Sequence, residues 1–111
     1  MIEFDDFARV DMRVGRVVEA IPFPEARKPS YKLRIDFGDE IEERVSSAQL
    51  TVTYPDPASL VGRLVVAVVN FAPRRIAGFS SEVLVLGAVG PGGEVWLLEP
   101  TPASPLGARI G

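Results

Sequence analysis

The sequence predicts an all-β domain, a five-stranded Greek-key barrel of the OB type with short helical additions at its ends. Three observations carry this expectation. The apolar residues alternate with period two or run as short β-branched stretches, and almost none repeat with helical spacing. The first strand is long and has a glycine inside it, a device for bending a strand around a small barrel. One bulkier connection separates strands three and four, and the chain is too short of strands for an immunoglobulin-like sandwich.

Taken in order, Glu3 to Ala8 has Asp5 and Asp6 where a helix N-terminus favours acids, and predicts one or two helical turns. Met12 to Ile21 is the long strand, with Gly15 as its expected bend. Tyr31 to Phe37 alternates without error: Tyr31, Leu33, Ile35 and Phe37 on one face, Lys32, Arg34 and Asp36 on the other. Arg44 to Ala48 is a shorter strand opposite it. Ala48 to Leu60, interrupted by Pro55 and Pro57, reads as a connection with a short helical turn at most. Leu64 to Val69 is apolar throughout, as a strand buried on both sides would be. Val83 to Val89 and Val95 to Leu98 follow as strands, with Pro91-Gly92-Gly93 as the turn between them. The proline-containing tail from Pro100 to Gly111 is expected to be extended.

A chain of 111 residues makes one domain, residues 1–111. It should fold to roughly 6,000 Å² of surface, burying about two-thirds of the unfolded chain's area, so a core is possible without covalent staples. There is no cysteine and no histidine. That removes disulfides, the usual zinc sites, thiol nucleophiles and every histidine-based triad or general base. The Gly90-Pro91-Gly92-Gly93 stretch lacks the Lys-Ser or Lys-Thr and the following helix of a phosphate loop. Neither an enzyme nor a bound cofactor or metal is expected. The N-terminus carries Glu3, Asp5, Asp6 and Asp11 and no apolar signal core, and the longest apolar run is six residues, so a cytoplasmic protein without membrane insertion is expected.

The net charge of −3 is unevenly spread. Residues 26–35 carry +4, residues 36–43 carry −5, and residues 57–81 carry +3. An OB barrel binds its ligands on the strand 2–3 face and with the loops joining strands 1–2 and 4–5. Arg27 and Lys28 fall on the first of these loops, Lys32 and Arg34 on the outward face of strand two, and Arg74 and Arg75 on the second loop. Arginine suits phosphate because its planar fork donates bidentately. Phe71 and Phe79 flank the second arginine pair, where they either stack on bases or belong to the core. Charge runs are also commonly no more than solvated faces.

Several segments resemble the tRNA-binding OB domains, found as free tRNA-binding proteins and within methionyl- and phenylalanyl-tRNA synthetases. They are Val10-Asp11-Met12-Arg13-Val14-Gly15-Arg16-Val17, Ile35-Asp36-Phe37-Gly38 and the run from Asn70 to Leu84. A narrower resemblance, to the free-standing CsaA-type secretion chaperones, rests on Ala26-Arg27-Lys28-Pro29, Ser46-Ser47-Ala48-Gln49, Val68-Val69-Asn70-Phe71 and Ser81-Glu82-Val83-Leu84-Val85-Leu86-Gly87. Where synthetase-type domains show Asn-Leu-x-Pro and Ser-x-Gly-Met, this chain reads Asn70-Phe71-Ala72-Pro73 and Ser81-Glu82-Val83-Leu84, which leans toward the chaperone subgroup.

The resemblance implies a homodimer built from the chain ends, with two activities: binding of tRNA or other structured RNA, and holding of unfolded or export-bound polypeptides. Assistance to tRNA handling as the main role is the alternative. Ser47, Asn70 and Ser81 lie at matched motif positions and join the cations as candidate RNA contacts, unless their side chains are spent on local turns. Phe23, Phe71 and Phe79 are the candidate polypeptide contacts, with burial under the loops as the competing role. Ile2, Phe4, Phe7, Leu106 and Ile110 would be stranded at the chain ends and are the candidate dimer interface.

Overall fold

The computed structural model describes all of residues 1–111. The elements are α1 (Phe4–Ala8), β1 (Met12–Pro22), β2 (Tyr31–Asp36), α2 (Gly38–Ile41), β3 (Glu43–Ala48), a 3-10 turn (Pro57–Leu60) and β4 (Leu64–Val68). They continue with β5 (Arg74–Ile76), β6 (Phe79–Ser81), β7 (Leu84–Val85), β8 (Gly87–Val89) and β9 (Val95–Leu97). One antiparallel sheet runs β3-β2-β1-β4-β7, and β5-β6 and β8-β9 form separate ribbons. Consecutive strands β1, β2 and β3 pair as a meander, while β4 returns to the free edge of β1. That is the Greek-key connection expected of an OB barrel.

β1 can serve two neighbours because it is long. Met12 to Arg16 pair with β4, and Arg16 to Pro22 pair with β2. The strand changes partner at Arg16, which pairs with both Leu64 and Asp36, and its irregularity falls between Val17 and Glu19, not at Gly15. Gly15 stands in regular register opposite Val65 and has a different task. A Cβ there would meet Ile35 Cγ2 at 2.6 Å and the Phe37 ring at 2.7 Å. The missing side chain lets Ile35 and Phe37, both 0% exposed, fill the barrel axis.

The alternation of β2 is realised in full, its apolar residues buried and its charged residues half-exposed. All of β4 is buried, as its unbroken apolar run requires. Phe37 itself leaves the strand and precedes α2, a single turn in the acidic segment after β2 that period-two reasoning does not reveal. The expected strand from Val83 to Val89 divides in two. β7 stays with β4 in the barrel, whereas β8 pairs with β9. The 48–60 connection docks by side chains: Thr53 Oγ1 accepts from Val95 N–H and Tyr54 Oη accepts from Leu97 N–H. The Tyr31 hydroxyl, buried beneath it, donates to the Tyr54 carbonyl at 2.7 Å.

The C-terminal tail lies along the first half of β1, on the edge opposite β4, in the stretch that β2 does not reach. Val14 N–H donates to Ala108 O, Gly107 N–H to Val14 O and Ile110 N–H to Met12 O. Arg13 ties these ends together. Its guanidinium donates to Asp11 at 2.6 Å, to Glu40 at 2.9 Å and to the Gly107 carbonyl at 3.2 Å. Its hydrogen bonds to Asp11 and then to Glu40 hold its proton more tightly than in a free arginine. The Asp-x-Arg pair of the opening motif therefore braces the barrel.

Two predictions follow from this packing. Gly15→Ala should lower stability by about 1–3 kcal/mol, read as a fall in the urea midpoint with unchanged m, because the core cannot yield to a methyl group placed against two buried side chains. Burial, and then Asp56, push the Tyr31 phenol above its ordinary value. A group that binds its proton more tightly when folded adds stability below its unfolded pKa of about 10 and loses it as pH rises through the folded value. Stability should fall above pH ~10, less steeply in Tyr31→Phe, measured by urea titration across that range.

Candidate nucleic-acid interface

The register of β1, β2 and β3 sorts the charges on the outer face. Ile21, Lys32 and Ser47 form one row, Glu19, Arg34 and Val45 the next outward row, and Arg16, Asp36 and Glu43 the last. Lys32 has no acid beside it. Arg34 has two: its guanidinium donates to Glu43 at 2.9 Å and lies 3.7 Å from Glu19. The bond that Arg34 donates to Glu43 is the chief cause raising its pKa. The face thus has a cationic end at Lys32 and a neutralised, then acidic, end beyond Arg34.

The predicted 70–82 loop is largely a β-hairpin, β5-β6, in which Ile76 opposes Phe79 across Ala77-Gly78. Both turn residues have positive φ, 48° and 82°, the twist a two-residue hairpin loop requires. Alternation along β5 sends Arg74 and Arg75 to opposite faces of the ribbon. Arg74 shares a face with Ser81, which meets the barrel, and Arg75 shares the outer face with Ser80. The hairpin touches the barrel through Phe79, whose ring meets Phe23 edge-on at 5.5 Å. Lys32 Nζ caps both rings, 4.6 Å from the Phe23 centroid and 5.1 Å from that of Phe79. This contact gathers the 1–2 loop, the β2 face and the hairpin at one place.

Five of the twelve basic residues are held by carboxylates: Arg9, Arg13, Arg34, Arg63 and Arg109. Arg16 and Arg44 donate to backbone carbonyls. The five cations with neither kind of partner are Arg27, Lys28, Lys32, Arg74 and Arg75, all among the sequence candidates. Arg27 also lines a shallow cleft of about 300 Å³ with Phe23, Tyr31 and Thr51.

The remaining candidates are placed as follows. Ser47 is half-exposed on the Lys32 row. Ser81 is buried, and its Oγ accepts from Ser47 N–H at 2.9 Å, so it is spent on joining β6 to β3. Asn70 is also committed: Oδ1 accepts from Asp11 N–H, and Nδ2 donates to the Arg9 carbonyl. Phe23 is 2% exposed, so as placed it supports Lys32 and offers no surface to a polypeptide. Phe79 is half-buried and Phe71 is 55% exposed. Ile2 and Phe4 are exposed, and Phe7, Leu106 and Ile110 are half-buried, the tail residues because the tail packs on β1. The ring-capping role of Lys32 and the outward Ile21 beside it were missed, because pairing them needs the β1–β2 register.

A nearly closed five-stranded barrel with unpaired cations on its 2–3 face and flanking loops defines an OB-fold binding domain. The chain matches over residues 12–109 the family model described as "Putative tRNA binding domain". It belongs to that tRNA-binding domain family. A crystal structure of the chaperone CsaA from Bacillus anthracis has a TM-score of 0.93 and 50% identity, covering 100% of this chain and 99% of that one. CsaA from Picrophilus torridus has a TM-score of 0.90 and 48% identity, covering 100% of both chains. The methionine–tRNA ligase of Neisseria gonorrhoeae is 40% identical over 97% of this chain, which spans only 16% of that enzyme's length. No helix here is long and apolar enough to cross a membrane.

Ala77 holds a left-handed conformation unfavourable to a residue with a Cβ. Ala77→Asn should therefore raise stability by about 0.5–1 kcal/mol, seen as a higher thermal midpoint.

Proposed function

We propose that this chain is a non-catalytic binding protein that holds structured RNA, tRNA foremost, on the cationic end of its barrel face. The observation that carries this is the gathering of the five cations that have neither a carboxylate nor a carbonyl partner on the 1–2 loop, the β2 face and the β5-β6 hairpin. Unpartnered Lys and Arg side chains have no ion pair to break before meeting phosphate. The acids beyond Arg34 repel a polyanion and confine docking to one end. Membership of a tRNA-binding family supports the choice of RNA over other anions.

A second role, holding unfolded or export-bound polypeptides as a homodimer, is supported by a separate observation. The folded chain exposes 6821 Å², against roughly 6,000 Å² expected for its mass. Phe4 at 76%, Val89 at 80% and Trp96 at 50% are exposed apolar side chains available to a client or a second copy. The CsaA neighbours are themselves described as chaperones. Suppression of aggregation of a chemically denatured client at stoichiometric protein is the expected result; unchanged aggregation rules this role out.

For RNA, Arg74→Ala with Arg75→Ala should weaken tRNA binding and flatten the log K against log salt slope by about one to two units. A wild-type slope near zero would end the RNA proposal. Glu43→Gln removes a repelling charge and leaves Arg34 with Glu19 alone, so affinity should rise by about two- to five-fold at low salt.

A further inference from the structure

We propose that Phe71 is a stacking platform for an unpaired nucleobase, so that the RNA this face selects carries a splayed base and is not a continuous duplex. This rests on the RNA-binding reading above and narrows it to a substrate class.

Among the exposed aromatic rings, charge distinguishes Phe71. Phe4 at 76% exposure stands in Glu3, Asp5 and Asp6. Trp96 at 50% lies between Glu94 and Glu99 on a ribbon with no cation. Phe71 at 55% stands in a stretch, residues 57–81, that contains no acid, and leads through Ala72-Pro73 into the unpartnered Arg74 and Arg75. A ring that leads within three residues into two unpaired arginines suits a ligand that is flat and anionic together, which a nucleotide is and an apolar peptide is not. The loop aromatics Phe23 and Phe79 are already occupied by each other and by Lys32. Phe71, 55% exposed, stacks on no other ring and is capped by no cation.

Its position is also restrained. The preceding residue, Asn70, is held through both ends of its amide to Asp11 and Arg9, and Val69 N–H donates to the Asp11 carbonyl. The ring is mounted on the rim of the barrel, at the foot of the arginine hairpin. A base in a continuous duplex keeps its faces stacked on its neighbours. A loop or bulge base has a face to give, and single-stranded elements are where RNA-binding proteins read bases.

The test compares a stem-loop RNA with a blunt duplex RNA of equal charge, by fluorescence anisotropy across a salt series, using wild type, Phe71→Leu and Phe71→Tyr. Leucine keeps the apolar bulk at an exposed position and removes the ring. Phe71→Leu should weaken stem-loop binding about tenfold, leave duplex binding and the salt slope unchanged, and be rescued by Phe71→Tyr. Equal effects on both RNAs, or none, overturn the platform while wild-type binding with a steep salt slope leaves the RNA reading standing. No wild-type RNA binding at low salt overturns both. A Phe71→Leu loss confined to capture of a reduced, permanently unfolded polypeptide overturns the platform in favour of a polypeptide contact.

Discussion

The barrel closes through side chains as much as through a β-ladder, and the binding face depends on that closure. β7 is only two residues long and pairs with β4, so the outer edge of β3 faces a strand too short to satisfy it. Four bonds complete the seam. Ser47 N–H donates to Ser81 Oγ at 2.9 Å, Val45 N–H to Glu82 Oε1 at 3.0 Å, Glu82 N–H to Val45 O at 2.9 Å, and Ser46 Oγ to Val83 O at 3.0 Å. An unpaired strand edge is both costly where buried and a template for aggregation where exposed. The seam removes most of that edge and, because Ser81 ends β6, it also anchors the arginine hairpin beside Lys32.

Two populations of arginine follow from the same geometry. Those near the chain ends and the acidic segment, Arg13 and Arg34 among them, are enclosed by carboxylates and stabilise or neutralise the surface they occupy. Those on the 1–2 loop and the hairpin form no ion pair and donate to no carbonyl, with Glu25 as the one acid of the loop, and keep their charge available. A net charge of −3 is thus compatible with a cationic docking region, because the acids are consumed elsewhere or gathered at the opposite end.

Most of the barrel was legible because its strands depend on local pattern. The alternation of Tyr31 to Phe37 and the continuous apolar run of Leu64 to Val68 each match their burial closely. The β5-β6 ribbon was not legible: its turn is Ala77-Gly78, without the Asn or Asp that would signal a hairpin. The division at Leu86 was hidden because both halves are equally apolar, and only their partners, β4 and β9, distinguish them. Among candidate site residues, the cations were found by charge and fold position. The commitments of Ser81 and Asn70 were not, since their partners lie 34 and 59 residues away in sequence.

By itself the sequence determined the strand faces, the absence of histidine and cysteine chemistry, the segregation of charge and the family motifs, all properties of residues close together along the chain. Tertiary structure decided which cations remain free. That depends on register and closure: a one-row difference separates Lys32, resting on two aromatic rings, from Arg34, held by Glu43 and Glu19. Coulombic pairing depends on distance in space, and on β2 two residues of the same face and the same sign acquire opposite availability because different residues of β1 and β3 lie beside them.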